Sequence, residues 1–306
     1  MSLVSLIKGR RGASGFGYAS TAEEVTAGLE LSGRTILITG ANSGLGQESA
    51  RVLSMRGARI VVAARTREKA AEACKGLAHE PIPVACELSD PASVRACVAE
   101  LKTLGVSLDV LLCNAGIMAL PKRELLHGQE LQFFTNHIGH FMLVTGLLEV
   151  LSVDARVVML SSSAHTRAPA AGIQFDDLSF ANGYSPWASY GQSKLANLLF
   201  ARSLARRFAG TKRTANAVHP GVIATNLGRH MGLAARIGFP IAAAIALKNV
   251  GEGAATQCYV ATHPSLAGVS GEYFADCNIA ESSSHGRDAA MGDRLWQVSE
   301  EIVAKL

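Results

Sequence analysis

Seven short runs of apolar residues recur along the chain, and each ends in small or polar residues: "TILITG", "RIVVAA", "IPVACEL", "LDVLLCNAG", "RVVMLSSS", "RTANAVHPG" and "GEYFAD". Nothing else in the sequence restricts the fold as much. Strands that are continuously apolar must be covered on both faces, whereas half-exposed strands alternate. Helical segments between the runs supply that cover, and crossovers through helices pair strands in parallel. Helices are expected at Gly44 to Arg56, at Thr66 to Leu77, from Pro91, whose ring suits a first helical position, at Ala188 to Phe208, and around Trp296. The pattern predicts α/β architecture: a doubly wound sheet of seven parallel strands with helices on both faces, in a single domain. Residues 32–306 form that domain and residues 1–31 an N-terminal arm.

At 306 residues and 48% hydrophobic content, the chain has ample material for one large core. Its net charge of +4 is small and its basic residues are dispersed, so no nucleic-acid partner is expected. The six cysteines, Cys74, Cys86, Cys97, Cys113, Cys258 and Cys277, contain no C-x-x-C pair. They fit neither a zinc site nor a disulfide framework, and suit a reducing compartment. No metal site is expected. The best candidate for a membrane span, Leu233 to Leu247, is interrupted by Arg236, Gly238 and Pro240. The first twenty-two residues carry Lys8, Arg10 and Arg11 but no acid and no signal-peptide apolar core. They read as a partly flexible arm in preference to a targeting segment. An intracellular location, cytoplasmic or organellar, is expected, and secretion is not.

Ligands of doubly wound sheets bind beyond the carboxyl ends of the strands, where the strand order reverses. After the first run comes "TGANSGLG", Thr39 to Gly46. Gly40, Gly44 and Gly46 let the backbone turn tightly and approach a pyrophosphate, with Asn42, Ser43 and Leu45 completing a loop that leads into the N-terminal amides of the next helix. That is the dinucleotide loop of a Rossmann-type fold. An acid usually follows about 20 residues later to bond the adenine ribose. Here Ala64 is followed by Arg65, with Arg67 and Lys69 close behind. A carboxylate would repel a 2′-phosphate and a guanidinium can hold one, so NADP(H) is expected over NAD(H). Glu87-Leu88 and Asn114-Ala115-Gly116, at the ends of the third and fourth runs, could line the adenine and ribose or could equally be turns.

Tyr190 and Lys194 lie four residues apart and therefore share one face of the helix they open. An isolated phenol titrates near ~10 and an ammonium near ~10.4, so neither is poised for neutral pH. A cation held close to a phenol favours the phenolate, and such a tyrosine can act as acid or base on a carbonyl or alcohol oxygen. Alone, Y-x-x-x-K is also the pattern of a core edge beside a snorkelling lysine. Its place after a dinucleotide loop and a serine-bearing strand end favours the chemical reading.

In these ordered motifs the chain resembles the short-chain dehydrogenase/reductase family from about Ser32 onward. The matching pieces are "TGANSGLG", "NAG", "NHIG" at Asn136 to Gly139, "SSSAH" at Ser161 to His165, "YGQSK", and "PGVIAT" at Pro220 to Thr225. "TNHIGHF", "YGQSKLANLLF", "NAVHPG" and "GAATQCYVA" look like the branch holding retinol dehydrogenases, the WW-domain oxidoreductase and a plant dehydrogenase of the plastid inner-envelope translocon. The plant type looks closest in "GFGYASTAEEVTAGLELSG" and "HPSLAGVSGEYFADCNIAESS".

The resemblance implies that Tyr190 donates or accepts the proton, that Lys194 lowers its pKa and bonds the nicotinamide ribose, and that Ser162 bonds the reacting oxygen, with Ser163 as the alternative. Asn136 would anchor a water linking Lys194 to solvent. Val222, after Pro220-Gly221, would meet the nicotinamide amide, Thr225 a cofactor phosphate or amide, and Arg65 matches the basic residue of NADP-preferring members. Glu87 departs from the usual Asp near the adenine.

A substrate lid falls around residues 226–248, where Met231, Leu233, Ile237, Phe239 and Ile241 suggest an apolar pocket wall, a core helix or a dimer contact. The expected activity is NADP(H)-dependent hydride transfer to or from a small apolar carbonyl or alcohol substrate. A nucleotide-sensing interaction protein is the alternative, and a protochlorophyllide reductase a third. By analogy the family pattern also allows a homo-oligomer and peripheral membrane contact.

Overall fold

The structure, a computed structural model, describes residues 9–223 and 247–306. Its central sheet contains β1 (Thr35–Thr39), β2 (Arg59–Ala64), β3 (Ile82–Ala85), β4 (Leu108–Cys113), β5 (Leu151–Leu160), β6 (Thr214–His219) and β7 (Tyr273–Ala275). These strands are parallel and stand in the order β3-β2-β1-β4-β5-β6-β7. The seven runs thus form the sheet that their two-sided apolarity requires. Ile36, Leu37 and Ile38 of β1 have no exposed surface.

An eighth strand corrects the expected count. Asn278–Ile279, β8, folds back antiparallel on β7, with Asn278 opposite Ala275 and Ile279 opposite Phe274. Asp276 and Cys277 between them both have positive φ, 49° and 61°, as a tight two-residue hairpin demands. "Asp-Cys" lacks the glycine that normally announces such a turn.

The longer helices among the described residues are α1 (Gly44–Met55), α2 (Arg67–Cys74), α3 (Pro91–Thr103), α4 (Gly139–Leu147), α5 (Pro186–Arg207), α6 (Val250–Thr262) and α7 (Ala289–Val303). Two cores cover the two sheet faces. Leu37, Val61, Leu111 and Val157 pack with residues of α3, α4, α5 and α7, while Ile36, Ile38, Leu112 and Val158 pack with α1 and α6. The alternation of neighbouring residues between the cores follows from the two-residue period of a strand. α2 is shorter than expected because Thr66 is its N-cap and the chain turns out at Gly76, where φ is +82°.

From residue 9 the N-terminal arm is tied to the domain. The Ser14 amide donates to Asn278 Oδ1 at 3.0 Å, Asn278 Nδ2 donates to the Phe16 carbonyl at 3.1 Å, and the Phe16 ring meets Tyr259 edge-on at 5.6 Å. A capping box between Thr21 and Glu24 then starts a single helical turn, Ala22–Val25. Among the described residues no helix is long and apolar enough to cross a membrane.

After β3 the chain crosses through α3 to the other side of β1, so the strand order reverses between β1 and β4. The carboxyl ends of those strands open the crevice in which a ligand of this fold binds. Thr225 and nearly all of the expected lid lie outside the described residues.

Candidate active site

The glycines after β1 divide into two kinds. At Gly46 a Cβ would lie 2.4 Å from the Gly40 carbonyl oxygen and 2.6 Å from Asn114 Nδ2, so hydrogen alone lets α1 pack on the strand end. Gly40 itself has φ +67° and abuts Ala115. Gly44 also has positive φ, +54°, but a Cβ there would meet nothing within 4 Å. Its side faces open space above the first turn of α1. The helices α2, α3, α5, α6 and α7 all have a side-chain N-cap, from Thr66, Asp90, Ser185, Asn249 and Asp288. Ser43 at the start of α1 makes no such bond. The first amides of α1 are therefore left for an anion, with the helix dipole behind them.

Arg65 stands exposed just past β2 and forms no hydrogen bond or ion pair among the described residues. Arg67 is engaged, donating to the Pro83 carbonyl and to Glu100 at 2.7 Å. Glu87 turns its carboxylate to Ser89, accepting from the Ser89 hydroxyl at 2.8 Å and its amide at 3.2 Å. Leu88 is buried where Gly139 of α4 crosses its backbone, a Cβ at Gly139 falling 2.3 Å from the Leu88 oxygen. Asn114 is a bracket between strands: Nδ2 donates to the Thr39 carbonyl at 2.9 Å, and Oδ1 accepts from Gln257 at 3.3 Å.

Four polar side chains converge across this crevice. Tyr190 and Lys194 project from α5, which Ser185 caps and Pro186 opens, and both are buried. Ser162 is near enough to the Tyr190 hydroxyl to favour its ionised form, and its own hydroxyl oxygen accepts from the Ala164 amide at 3.1 Å. Ser162 is half-buried, whereas Ser163 is exposed and gives its backbone amide to His219 at 3.2 Å. The Lys194 ammonium lies 5.6 Å from the Tyr190 ring centroid and donates to the Leu160 carbonyl at 3.0 Å. Asn136 sits in a π-helical turn, Phe134–Ile138, a distortion common where a helix serves a site. Its side chain accepts from the Ile117 amide at 2.8 Å and donates to the Ile117 carbonyl and to Ser193 Oγ, both at 2.9 Å. Gly116 closes the group: a Cβ there would be 3.0 Å from Asn136 Oδ1 and 3.4 Å from Lys194 Nζ.

The electrostatics differ from the sequence expectation. Burial pushes the Tyr190 phenol up to about 12, with the neighbouring Ser162 acting in the opposite sense. Burial also brings Lys194 down to about 8. The ammonium lies 5.6 Å from the ring centroid, and desolvation is the largest influence on the phenol. Tyr190 is thus held as the neutral acid at neutral pH, and Lys194 as a cation with little margin.

Beyond β6, Pro220 is buried and Val222 exposed. Gly221 has φ +93° and lies against the Lys248 side chain, whose Cδ would be 2.5 Å from a Cβ. Lys248 is fully buried, pairs with Asp276 at 2.6 Å and gives its backbone amide to the Val222 carbonyl at 2.9 Å. Neither Lys248 nor Ser193 was picked out from the sequence. Ser193 lies inside "YGQSK" and ties Asn136 to the Tyr190 carbonyl, which its hydroxyl reaches at 2.8 Å. A small polar residue among the buried positions of α5 was the signal available.

Residues 40–274 match a family model described as Enoyl-(Acyl carrier protein) reductase. The chain is 43% identical to "Short-chain dehydrogenase TIC 32 B, chloroplastic" of Brassica napus, with all of both chains covered. It is 39% identical to "Retinol dehydrogenase 14" of Homo sapiens, over 90% of this chain and 88% of the relative. A crystal structure of an uncharacterised protein from Mycobacterium Paratuberculosis superposes with a TM-score of 0.73 at 35% identity, covering 92% of this chain and 97% of that one. The chain belongs to the short-chain dehydrogenase/reductase family of oxidoreductases, whose members act on alcohol and carbonyl groups with nicotinamide cofactors.

Proposed function

We propose that the chain is an NADP(H)-dependent reductase and dehydrogenase of an apolar carbonyl/alcohol pair, with Tyr190 as its acid and base. The observation that carries this reading is the meeting of the buried Tyr190 phenol with Ser162 and the Lys194 ammonium at the crevice beside the glycine loop. The site fits a dinucleotide: the α1 amides are uncapped, Gly44 leaves room for a phosphate to approach, and Arg65 is free to pair with a 2′-phosphate. When bound, the nicotinamide supplies or accepts the hydride.

The chain's own groups handle the oxygen. Ser162 Oγ and the Tyr190 hydroxyl grip the carbonyl oxygen together and orient its carbon. Tyr190 delivers its proton as negative charge grows on that oxygen; in the oxidising direction it takes the proton back. With its pKa near 12, the phenol is loaded as an acid at pH 7, which favours carbonyl reduction there. Lys194 stabilises the phenolate left behind, and Asn136 fixes the Gly116–Ile117 wall against which Lys194 rests. Retinoid-like compounds, alkyl aldehydes, ketones and quinones suit this reading, in keeping with the name of the human relative. A chloroplast location is proposed on the name of the Brassica napus relative.

The test follows NADPH absorbance against a panel of retinoids, aldehydes, quinones and steroids, with Tyr190→Phe beside the wild type. Loss of turnover with NADPH binding retained is expected. Equal turnover in the variant would remove Tyr190 from the mechanism, and NADPH binding without any turnover across the panel would favour a nucleotide sensor.

A further inference from the structure

His140 and His165 lie in the "TNHIGHF" and "SSSAH" stretches, yet neither takes part in the proton transfer above. Both are buried. Each imidazole bridges the main-chain carbonyl of a site residue to a second hydrogen-bonding group far away in sequence. His140 Nδ1 is 2.8 Å from the Asn136 carbonyl oxygen, and its Nε2 is 2.9 Å from Thr39 Oγ1. His165 Nδ1 is 2.6 Å from the Ser162 carbonyl oxygen, and its Nε2 accepts from the Ser283 amide at 3.0 Å.

The partners fix where the protons are. A carbonyl only accepts, so Nδ1 carries hydrogen in both rings. A backbone amide only donates, so His165 Nε2 is bare. Thr39 Oγ1 already accepts the Asn114 and Ala115 amides at 2.9 and 3.0 Å. Both its lone pairs are then used, and its hydroxyl proton goes to His140 Nε2. The two rings are thus neutral and in the same tautomer.

We propose that His140 and His165 are positioning residues, neutral struts that hold the Asn136 and Ser162 main chain on either side of the Tyr190–Lys194 pair. Their role presupposes that Tyr190 and Ser162 handle the substrate oxygen. The His140 strut ties the π-helical turn to the β1–β4 switch point, and the His165 strut ties the Ser162 turn to the segment after β8.

The surroundings keep both rings uncharged. Burial lowers His140 to about 4, with Lys194 acting in the same direction and His137 packed close by. Burial also lowers His165, with Arg202 opposing its charge, His219 nearby and the Tyr273 ring edge-on at 5.1 Å. Protonation would aim an N–H at another donor and release the strut.

The test compares His140→Leu and His165→Leu with His140→Asn and His165→Asn, since asparagine keeps a donor near the Nδ1 position. Tyr190→Phe runs in parallel. In the folded leucine variants kcat should fall by about 10²-fold, the scale of a misplaced catalytic group, and the asparagine variants should regain about tenfold. Wild-type protein with ¹⁵N-labelled histidine should show both rings protonated on Nδ1 and bare on Nε2 at pH 7. A ring charged or Nε2-protonated at pH 7, or equal kcat in the leucine and asparagine variants, overturns the proposal. Where a leucine variant fails to fold, the wild-type spectra decide. Retained turnover in Tyr190→Phe instead overturns the proton-transfer reading, and the spectra then test the struts on their own.

Discussion

The contrast between Gly46 and Gly44 gives a test of how the glycine loop works. Alanine at position 46 would press its Cβ to 2.4 Å from the Gly40 carbonyl oxygen and 2.6 Å from Asn114 Nδ2. Neither neighbour can yield freely: Gly40 is backbone, and Asn114 is held by Thr39 at 2.9 Å and by Gln257 at 3.3 Å. Overpacking of this kind costs ~1–3 kcal/mol and the displaced Asn114 bond about 1 more. A loss of about 2–4 kcal/mol lowers Tm by about 3–6 °C for a chain of this size. Alanine at position 44 meets no atom within 4 Å and bears only the positive-φ penalty of ~1–2 kcal/mol. Its methyl, however, enters the space over the uncapped α1 amides. Gly46→Ala should therefore be the less stable protein, and Gly44→Ala a stable protein that binds NADPH poorly. Thermal unfolding and fluorescence titration with NADPH measure the two effects separately. If Gly44→Ala melts lower than Gly46→Ala, or if it binds NADPH as tightly as wild type, the division of the loop into a packing glycine and a cradle glycine is wrong.

Removing the free guanidinium in Arg65→Glu should raise KM for NADPH by about 10–100-fold, the range of a lost charge-assisted hydrogen bond, and leave NADH nearly unaffected; parallel kinetics with both cofactors check this. Turnover should fall as pH rises through about 8, where Lys194 loses its proton, and a pH–kcat profile without that alkaline limb would exclude a charged Lys194 from the mechanism. His137 and His140 are held down at about 3 and about 4, so below the ordinary 6.5 the unfolded chain binds more protons than the folded one. Stability should accordingly drop as pH falls from 6.5 toward 4, read as a falling urea midpoint; replacing either buried imidazole by leucine should flatten that slope in any variant that folds.

The sheet was legible because its requirement is two-sided burial, which writes itself into sequence as unbroken apolar runs, and all seven runs stand in the sheet. β8 escaped because two residues carry no periodicity and its turn uses Asp276 and Cys277 in place of glycine. Tyr190, Lys194, Ser162 and Asn136 could be named because a side chain that does chemistry must be of a particular type at a particular spacing. Their supports could not. Ser193, Thr39 and Lys248 act through geometry that brings together residues dozens of positions apart, and each looks like ordinary sequence until the chain is folded. The weight of desolvation at Tyr190 is hidden from the sequence for a related reason. Spacing shows that a cation is near, but whether it faces the hydroxyl or the ring, and how much water both lose, are properties of the packing.

Lys194 shows what the site takes from stability. Its ammonium is almost entirely buried, with the Leu160 carbonyl as a hydrogen-bond acceptor and the Tyr190 ring beside it. A fall from the ordinary 10.5 to about 8 corresponds to about 3 kcal/mol disfavouring the charged form in the fold. The penalty is present in full below pH 8 and is relieved as pH rises from about 8 to 10.5, where the folded protein carries the neutral amine. Lys194→Met keeps the volume and removes the charge. It does not strand the Leu160 carbonyl, because Asn197 Nδ2 also donates there at 3.0 Å. The lost cation–π contact offsets ~0.5–2 kcal/mol of the gain. Lys194→Met should therefore abolish turnover and yet be more stable than wild type at pH 7 by about 1–2 kcal/mol, with the advantage shrinking toward pH 10. Denaturant unfolding at pH 7 and pH 10 decides the matter. A variant less stable at pH 7, or an advantage that does not shrink at alkaline pH, would mean that Lys194 is better solvated in the fold than its burial implies.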